Sequence, residues 1–343
     1  MATSKKKLGQ FFTTNYHHIL KGMIIPDDIK TIIEPFCGNG DLLNFIEDRC
    51  KEVVCYDIEP KKPFIIKRDT IKNPPDYSGL FIITNPPYLA RNKTEEKDLF
   101  DKYEVNDLYK CFIKEIIINP CLGGIIIIPL NFWSSIRPID IKLRQLFLEK
   151  YSIILLNIFE EQVFDDTTYT ICSFQFELRK EGISNQPFRT IIYPSGVQIE
   201  ETDLNNENNY MIGGEIYNLK SSGDYKITRL TNKNKEKANT NILVKCIDDN
   251  DNNRIGLTLV EDNKIYIDET PNQTARTYAT LIIEPTINKE KQLLLVNNFN
   301  NYLNNYRKKY NSLFLTNYRE KERKRISFEL VYSICAFILD NFF

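Results

Sequence analysis

The chain has 343 residues, a formal net charge of −1, 42% hydrophobic residues, eight cysteines and two histidines. That is long enough for two domains with a sizeable core, and too apolar for a disordered polymer. No C-x-x-C pair marks a zinc site or a disulfide framework, so a reducing intracellular setting is expected. The start, Met1 to Lys7, runs into Leu8-Gly9-Gln10 with no apolar core, so no signal peptide is expected. The longest apolar runs, such as Ile125–Ile128, are strand-sized and too short to span a bilayer.

Residues 20 to 180 alternate strand-like and helix-like segments. Thr31–Ile33 reads as a strand, followed by a glycine turn and an amphipathic stretch from Asp41 to Cys50. Val53–Tyr56, Phe64–Ile66 and Leu80–Thr84 are further strands. Asn106–Ile118 has helical spacing, Gly124–Pro129 is a fifth strand and Pro138–Tyr151 a second helix. Ile153–Ile158 and Tyr169–Phe176 close the series. This alternation predicts an α/β domain: a mostly parallel sheet covered by helices on both faces, binding its ligand at the strands' carboxyl ends. After about residue 195 asparagine becomes frequent. Short strands are expected at Ile242–Cys246, Gly256–Val260, Lys264–Ile267 and Thr277–Ile283. Gln292–Tyr318 reads as one or two helices and Ile326–Phe342 as a last one. A boundary near 195 divides residues 1–195 from a mixed α+β recognition domain, 196–343.

The strand Leu80–Thr84 ends in Asn85-Pro86-Pro87-Tyr88. Each proline lacks an N–H, so the turn presents carbonyls with few internal donors to satisfy them. Pro86 pushes Asn85 toward an extended conformation. The result is an amide oxygen and nearby carbonyls beside an aromatic ring, a set suited to gripping a planar amino group. The first strand leads into Glu34-Pro35-Phe36-Cys37-Gly38-Asn39-Gly40-Asp41. Its glycines permit a tight turn and close approach of a ligand, although Leu43 stands where the dinucleotide fingerprint has its third glycine. Asp57 ends the second strand, where an acid can bind a ribose diol, and Asp69 ends the third.

Together these motifs resemble those of gamma-class, amino-group DNA methyltransferases, which make N6-methyladenine from S-adenosylmethionine. The resemblance covers roughly residues 8–180. It implies a Rossmann-like methyltransferase domain with a seven-stranded, mostly parallel sheet, and a second domain that reads DNA. Leu8–Thr14 resembles the cofactor motif before the first strand and implies that Thr13 lies near the methionine end of the cofactor. The family often has proline where Thr14 stands. Glu34, Phe36, Gly38 and Gly40 resemble the glycine motif, Asp57 and Ile58 the ribose and adenine motif, and Asp69 the acid that binds the adenine amino group. Asn85, Pro86, Pro87 and Tyr88 resemble the catalytic motif. Phe164 resembles the aromatic that, with Tyr88, stacks on a flipped base. S-adenosylmethionine is the implied cofactor and double-stranded DNA the implied partner. No metal is implied, action as a monomer is expected, and a companion restriction endonuclease is left open.

In this reading the Asn85 side-chain oxygen and the Pro86 carbonyl hold the two N–H groups of the adenine N6 amine and aim its lone pair at the methyl. Catalysis is then mainly positioning and preorganised electrostatics. Flipping the base costs a few kcal/mol, offset by stacking worth roughly 1–3 kcal/mol per base.

Net charge alone speaks against nucleic acid, but its distribution does not. Residues 301–325 carry eight basic side chains against two acids, interleaved with Tyr302, Tyr306, Tyr310, Phe314 and Tyr318. Such a run suits phosphate contact through Arg319, Arg323, Lys324 and Arg325, against the plain alternative of a solvated helix face. Three rival functions share features with this chain. Glutamine-N5 protein methyltransferases also use Asn-Pro-Pro-Tyr but carry their extra domain before the glycine motif. Ribosomal-RNA adenine dimethylases share the Gly9-Gln10-Phe11-Phe12 start but normally have a single proline. A non-catalytic DNA-binding subunit is opposed by the intact Asn85 and Asp57. Pro120-Cys121 reads as a turn with a buried thiol, His17 and His18 as unpaired with any metal pattern, and Asp165-Asp166 as a solvated loop.

Overall fold

The computed structural model describes residues 13–46, 52–164, 169–180, 182, 186–248, 255–269, 277–317 and 324–342. The chain divides into two compact units, Met1–Asn206 and Glu207–Phe343. Among the described residues, no helix is long and apolar enough to cross a membrane.

Among the described residues, the first unit holds nine strands: β1 (Thr31–Glu34), β2 (Glu52–Asp57), β3 (Ile66–Lys67), β4 (Phe81–Thr84), β5 (Gly123–Pro129), β6 (Tyr151–Phe159), β7 (Ile171–Leu178), β8 (Phe188–Tyr193) and β9 (Val197–Thr202). They form one sheet in the order β3-β2-β1-β4-β5-β7-β6-β8-β9. Neighbours from β3 to β5 pair in parallel, and so do β6 and β8. β7 runs antiparallel between β5 and β6, and β9 pairs antiparallel with β8. The mostly parallel α/β sheet therefore agrees with expectation, with two strands more than the seven expected. The first compact unit runs on to Asn206, because β9, beyond residue 195, pairs with β8 in its sheet.

The central strands are mostly apolar, as burial on both faces requires, with polar residues such as Glu34 and Thr84 at their carboxyl ends. Every residue of β4 and of β5 is buried. Gly124 lets these two approach: a Cβ there would stand 2.5 Å from the Ile82 carbonyl oxygen. Helices in this unit are α1 (Tyr16–Ile19), α2 (Asp98–Tyr103), α3 (Leu108–Ile118), α4 (Asn131–Ser134) and α5 (Pro138–Lys150). Pro138 sits in the first turn of α5, where its missing N–H costs nothing. Arg144 of α5 is fully buried and donates to the carbonyls of Phe132 (2.8 Å) and Ser135 (2.9 Å), tying α5 to α4. Lys110 of α3 makes a buried pair with Asp140 of α5 at 2.7 Å.

Helical cover is less complete than expected. The connections from β2 to β3 and from β3 to β4 contain no α-helix. Pro60, Pro63, Pro74 and Pro75 interrupt both with residues that cannot donate a helical hydrogen bond. The expected helix over Asp41–Cys50 is a 3-10 turn over Asp41–Phe45, and residues 47–51 lie outside the described residues.

The second unit is built on a four-stranded antiparallel sheet. Its strands are β10 (Lys226–Arg229), β11 (Ile242–Lys245), β12 (Gly256–Leu259) and β13 (Tyr278–Glu284), in the order β10-β13-β11-β12. A ribbon of β14 (Thr316–Asn317) and β15 (Lys324–Arg325) adds two short strands. Helices α6 (Lys289–Lys309) and α7 (Phe328–Phe342) share one core with the sheet, including Leu281, Phe299, Leu303, Val331 and Ile334. The Asn300 amide bonds both the N–H and the carbonyl of Leu257, each at 2.9 Å, fastening α6 to edge strand β12. The strand expected over Lys264–Ile267 is not formed. Tyr266 and Ile267 are exposed, and the segment is tied to the unit by the Tyr266 N–H, which donates to Thr280 Oγ1 of β13 at 3.0 Å, and by the bridge from Thr231 to Asp268, without a strand ladder.

Candidate active site

The strand order reverses direction between β1 and β4: β2 and β3 lie on one side, β5 on the other. At such a point the two crossovers part and leave a crevice beyond the carboxyl ends of the strands. A cavity of about 470 Å³ opens here. Its wall includes Thr13, Glu34, Phe36 and Gly38, then Asp57, Ile58 and Asp69, then Asn85 and Pro87. Nine of the residues singled out from the sequence thus share one cavity. Gly40, Pro86, Tyr88 and Phe164 are not on its wall.

The glycine loop after β1 is held by β2. Cys37 N–H donates to the Tyr56 carbonyl (2.8 Å), and Gly38 N–H donates to Asp57 Oδ2 (2.7 Å). The other Asp57 oxygen accepts from Glu59 N–H at 2.7 Å. Asp57 therefore shapes the loop, and keeps lone pairs for a ligand because each carboxylate oxygen has two. Gly40 has φ +78°, a left-handed conformation that glycine adopts without strain, and it turns the chain into the 3-10 turn. Phe36 packs edge-on against Phe112 of α3 at 5.1 Å.

On the β3 side, Asp69 Oδ1 accepts from the N–H groups of Ile71 (3.2 Å) and Lys72 (3.0 Å), so it ends a turn beyond the strand. Thr70 Oγ1 donates to the Pro35 carbonyl at 2.9 Å, linking this turn to the glycine loop. Arg68 donates to the carbonyls of Asn73 (2.7 Å) and Pro74 (2.9 Å), with its guanidinium over the Tyr56 ring.

After β4, Asn85 Nδ2 donates to Thr13 Oγ1 at 3.1 Å. Tyr88 folds inward. Its one hydroxyl hydrogen is shared between Asn85 Oδ1 and the Ile127 carbonyl of β5, the latter at 2.9 Å. Its ring is buried, edge-on to Tyr109 at 6.0 Å. Burial raises the phenol pKa well above its ordinary value. Phe164 is also buried. In this conformation neither ring offers a face to the cavity, as stacking on a base requires. The chain beyond Tyr88 pairs with the approach to α3: Leu108 N–H donates to Leu89 O (3.2 Å) and Arg91 N–H to Asn106 O (3.0 Å). Asp107, at the start of α3, has a buried Oδ1 without a hydrogen-bond partner and is pushed up to about 6, chiefly by burial.

Charge decides what the cavity takes. Six carboxylates line it (Glu34, Asp41, Asp57, Asp69, Glu96 and Asp98) against two cations, Arg68 and Lys72. Lys72 is engaged by Glu96 at 3.3 Å. Glu34 is 1% exposed, and its Oε2 has no hydrogen-bond partner. Burial first, then the neighbouring Cys55, Asp57 and Asp41, raise its pKa well above the usual carboxylate value. Asp41 Oδ2 is likewise buried and unpartnered. Asp41 stands in the first turn beyond the glycine loop, where a dinucleotide site would cradle its pyrophosphate. Such a wall repels phosphate and suits a ligand carrying positive charge and N–H donors. Asp41, Glu96, Asp98 and Phe100 were missed in the sequence. Asp41 was visible beside Gly40; Glu96 lies in the loop before α2, and Asp98 and Phe100 lie in the first turn of α2, a segment that no motif marks.

The expected phosphate contacts fare differently. Arg319 and Arg323 lie outside the described residues. Lys324 is 7% exposed and Arg325 half-buried, both in β15, so neither stands out as surface charge. Arg307 is bound bidentately by Asp248, at 3.1 and 2.6 Å. Of the interleaved aromatics, Phe314 belongs to the core of the second unit, and Tyr302, Tyr306 and Tyr310 are partly buried and pack against it. Tyr306 donates toward the Gly213 carbonyl and Glu215, both at 3.0 Å.

No family model matches the chain. No curated protein matches it either. Solved structures show partial likeness. The methyltransferase subunit of a type I restriction-modification system from Streptococcus thermophilus is 12% identical over 55% of this chain and 48% of that one, with TM-score 0.39. The type IIG restriction endonuclease BpuSI is 13% identical over 67% of this chain and 36% of that one, TM-score 0.42. The DrdV–DNA complex gives 13% identity over 68% and 36%, TM-score 0.43. This chain spans about half or less of the length of these proteins, and similarity at this level says nothing of its activity.

Proposed function

We infer that this chain is an S-adenosylmethionine-dependent methyltransferase that modifies the N6 amine of an adenine flipped out of duplex DNA. One observation carries the reading. The Asn85 amide, at the end of β4, shares a cavity with an unpartnered buried Glu34 carboxylate and an acidic wall. S-adenosylmethionine supplies an electrophilic methyl on a cationic sulfonium, and also carries an ammonium and a ribose diol. Glu34 would accept from the ammonium, Asp57 from the diol and Asp69 from the adenine amine, while the six carboxylates favour the cation over a phosphate-bearing cofactor.

On the substrate side, Asn85 Oδ1 would accept one N–H of the target amine and the Pro86 carbonyl the other. Thr13 holds the Asn85 amide with its oxygen turned away from Nδ2, which supports this orientation. Tyr88 must first release Asn85 Oδ1, and its ring can then stack on the base. The amine's proton becomes acidic once the methyl is in place, so no strong base is required, and positioning does most of the work. Action within a restriction-modification system fits the same chemistry.

The test is incubation of purified protein with methyl-labelled S-adenosylmethionine and, separately, duplex DNA, ribosomal RNA and release-factor protein. Label in DNA as N6-methyladenine supports the reading; label in a release-factor glutamine supports the protein-methyltransferase alternative.

A further inference from the structure

Helix α6 buries Gln292, Leu295, Val296, Phe299 and Leu303 against its own unit. Its opposite side is exposed and has an unusual composition. In order along that side stand Leu293 and Leu294 (50% and 43% exposed), then Asn297, Asn301, Asn304 and Asn305, then Lys308. Their spacing of three and four residues puts them on one stripe. Among the described residues, none of these four amides has a hydrogen-bond partner, unlike Asn300 on the flank.

Neither folding nor composition explains this stripe. Asparagine is among the weaker helix formers, so exposed positions that packing leaves free would be better served by Glu, Lys or Ala. Asparagine is enriched in the second unit as a whole, 22 of 137 residues against 13 of 206 in the first, and further within α6, where it makes up six of 21 residues. Charge adds a second observation. From Lys291 to Asn317 there is no Asp or Glu, while Lys308 and Lys309 are exposed, on a chain whose net charge is −1. Cations at a helix C-terminus also answer its dipole, but the dipole accounts for neither the amides nor the missing acids.

We propose that the exposed side of α6 is a base-reading surface that enters the major groove of A·T-containing duplex DNA. The major groove admits one α-helix, and there adenine presents N7 and N6–H₂ to a side-chain amide while thymine presents a methyl to apolar side chains. Asn297, Asn301, Asn304 and Asn305 supply amides, Leu293 and Leu294 apolar contact, and Lys308 a phosphate contact. From Asn297 to Lys308 the helix rises about 16 Å, the height of about five base-pair steps. The proposal deepens the methyltransferase reading by naming the surface that chooses the DNA word, and it rests on that reading only for the purpose of the choice.

The experiment selects bound sequences from a random duplex pool with the full chain, then measures fluorescence anisotropy on the enriched duplex. The account expects runs of A·T pairs in the selected sequences. It expects at least tenfold weaker binding by Asn301→Ala/Asn304→Ala/Asn305→Ala, whose alanines favour the helix. Replacing adenine by 7-deaza-adenine should weaken the natural protein and leave the variant unmoved. Lys308→Glu should weaken binding regardless of sequence, which keeps the test open if the triple variant folds poorly. No sequence preference in the natural protein, equal affinity in the triple variant, or self-association through Leu293 and Leu294 in place of duplex binding would overturn the proposal. The two readings fail separately. DNA bound through this face without methylation removes the enzyme reading alone; methylated DNA with an unchanged word in the triple variant removes this one alone.

Discussion

Tyr88 gives its hydroxyl hydrogen to the side-chain oxygen of Asn85, the same oxygen that a target amine would need. Substrate and tyrosine therefore compete for one acceptor. Tyr88→Phe removes the competitor and keeps the ring, but strips the Ile127 carbonyl of a buried partner. The expected result is a loss of about 1 kcal/mol in stability by chemical denaturation, with no rise in KM for DNA. A large rise in KM would mean that the hydroxyl itself grips substrate.

Asp57 takes two backbone N–H groups through two different oxygens. Asp57→Ala leaves the half-buried Gly38 N–H without its acceptor, while the Glu59 N–H belongs to an exposed residue that water can reach. The expected cost is about 1–2 kcal/mol, with cofactor affinity reduced at least tenfold by calorimetry. Unchanged affinity would show that the glycine loop holds its shape without β2.

The two raised carboxyls, Glu34 and Asp107, set a pH dependence of definite sign. Each binds its proton more tightly folded than unfolded. Their contribution to stability is complete below the unfolded carboxylate pKa and is lost as pH rises, through about 6 for Asp107. Asp107→Asn should therefore raise the melting temperature relative to the natural protein at pH 8 and leave it nearly unchanged at pH 4. Glu34→Gln should do the same without cofactor, yet weaken S-adenosylmethionine binding at high pH, where the carboxylate is ionised. A Glu34→Gln variant that binds cofactor normally at pH 8 would remove Glu34 from the site.

In the basic run, Arg307 is committed to Asp248 while Lys308 is exposed. Arg307→Ala should lower the second unit's stability by about 1–3 kcal/mol without altering the salt dependence of DNA binding. Lys308→Glu should reduce the slope of log affinity against log salt by about 1. Binding isotherms from low to physiological salt separate the two, and a slope equal to the natural protein's in both variants would leave both side chains outside the DNA contact.

Much of this arrangement was legible in the residues. Ile32-Ile33, Phe81–Thr84 and Ile125–Ile128 are strands because apolar runs of that length must be buried on both faces. The residues that line the cavity after β1, β2 and β4 follow directly from where those runs end. What was not legible depends on pairing. β9 is nearly all exposed and alternates only over Val197–Glu200, so its ladder with β8 is what marks it as a strand. Lys264–Ile267 has strand composition but no neighbouring strand to accept it. Tyr302 and Tyr306 of α6 and Tyr310 at its C-terminal cap recur every four residues, a stripe that packs half-buried against the core, and the charges between them resemble a phosphate-binding run. The inward fold of Tyr88 was hidden because its acceptor, the Ile127 carbonyl, comes from a strand 39 residues away.

The most direct measurement is nucleoside analysis of duplex DNA after reaction with methyl-labelled S-adenosylmethionine, using the natural protein and Asn85→Ala. The account predicts labelled N6-methyladenine with the natural protein, and none with the variant although it binds cofactor at close to natural affinity. Labelled adenine undiminished in Asn85→Ala, or cofactor-bound natural protein that leaves every adenine unlabelled, would contradict it.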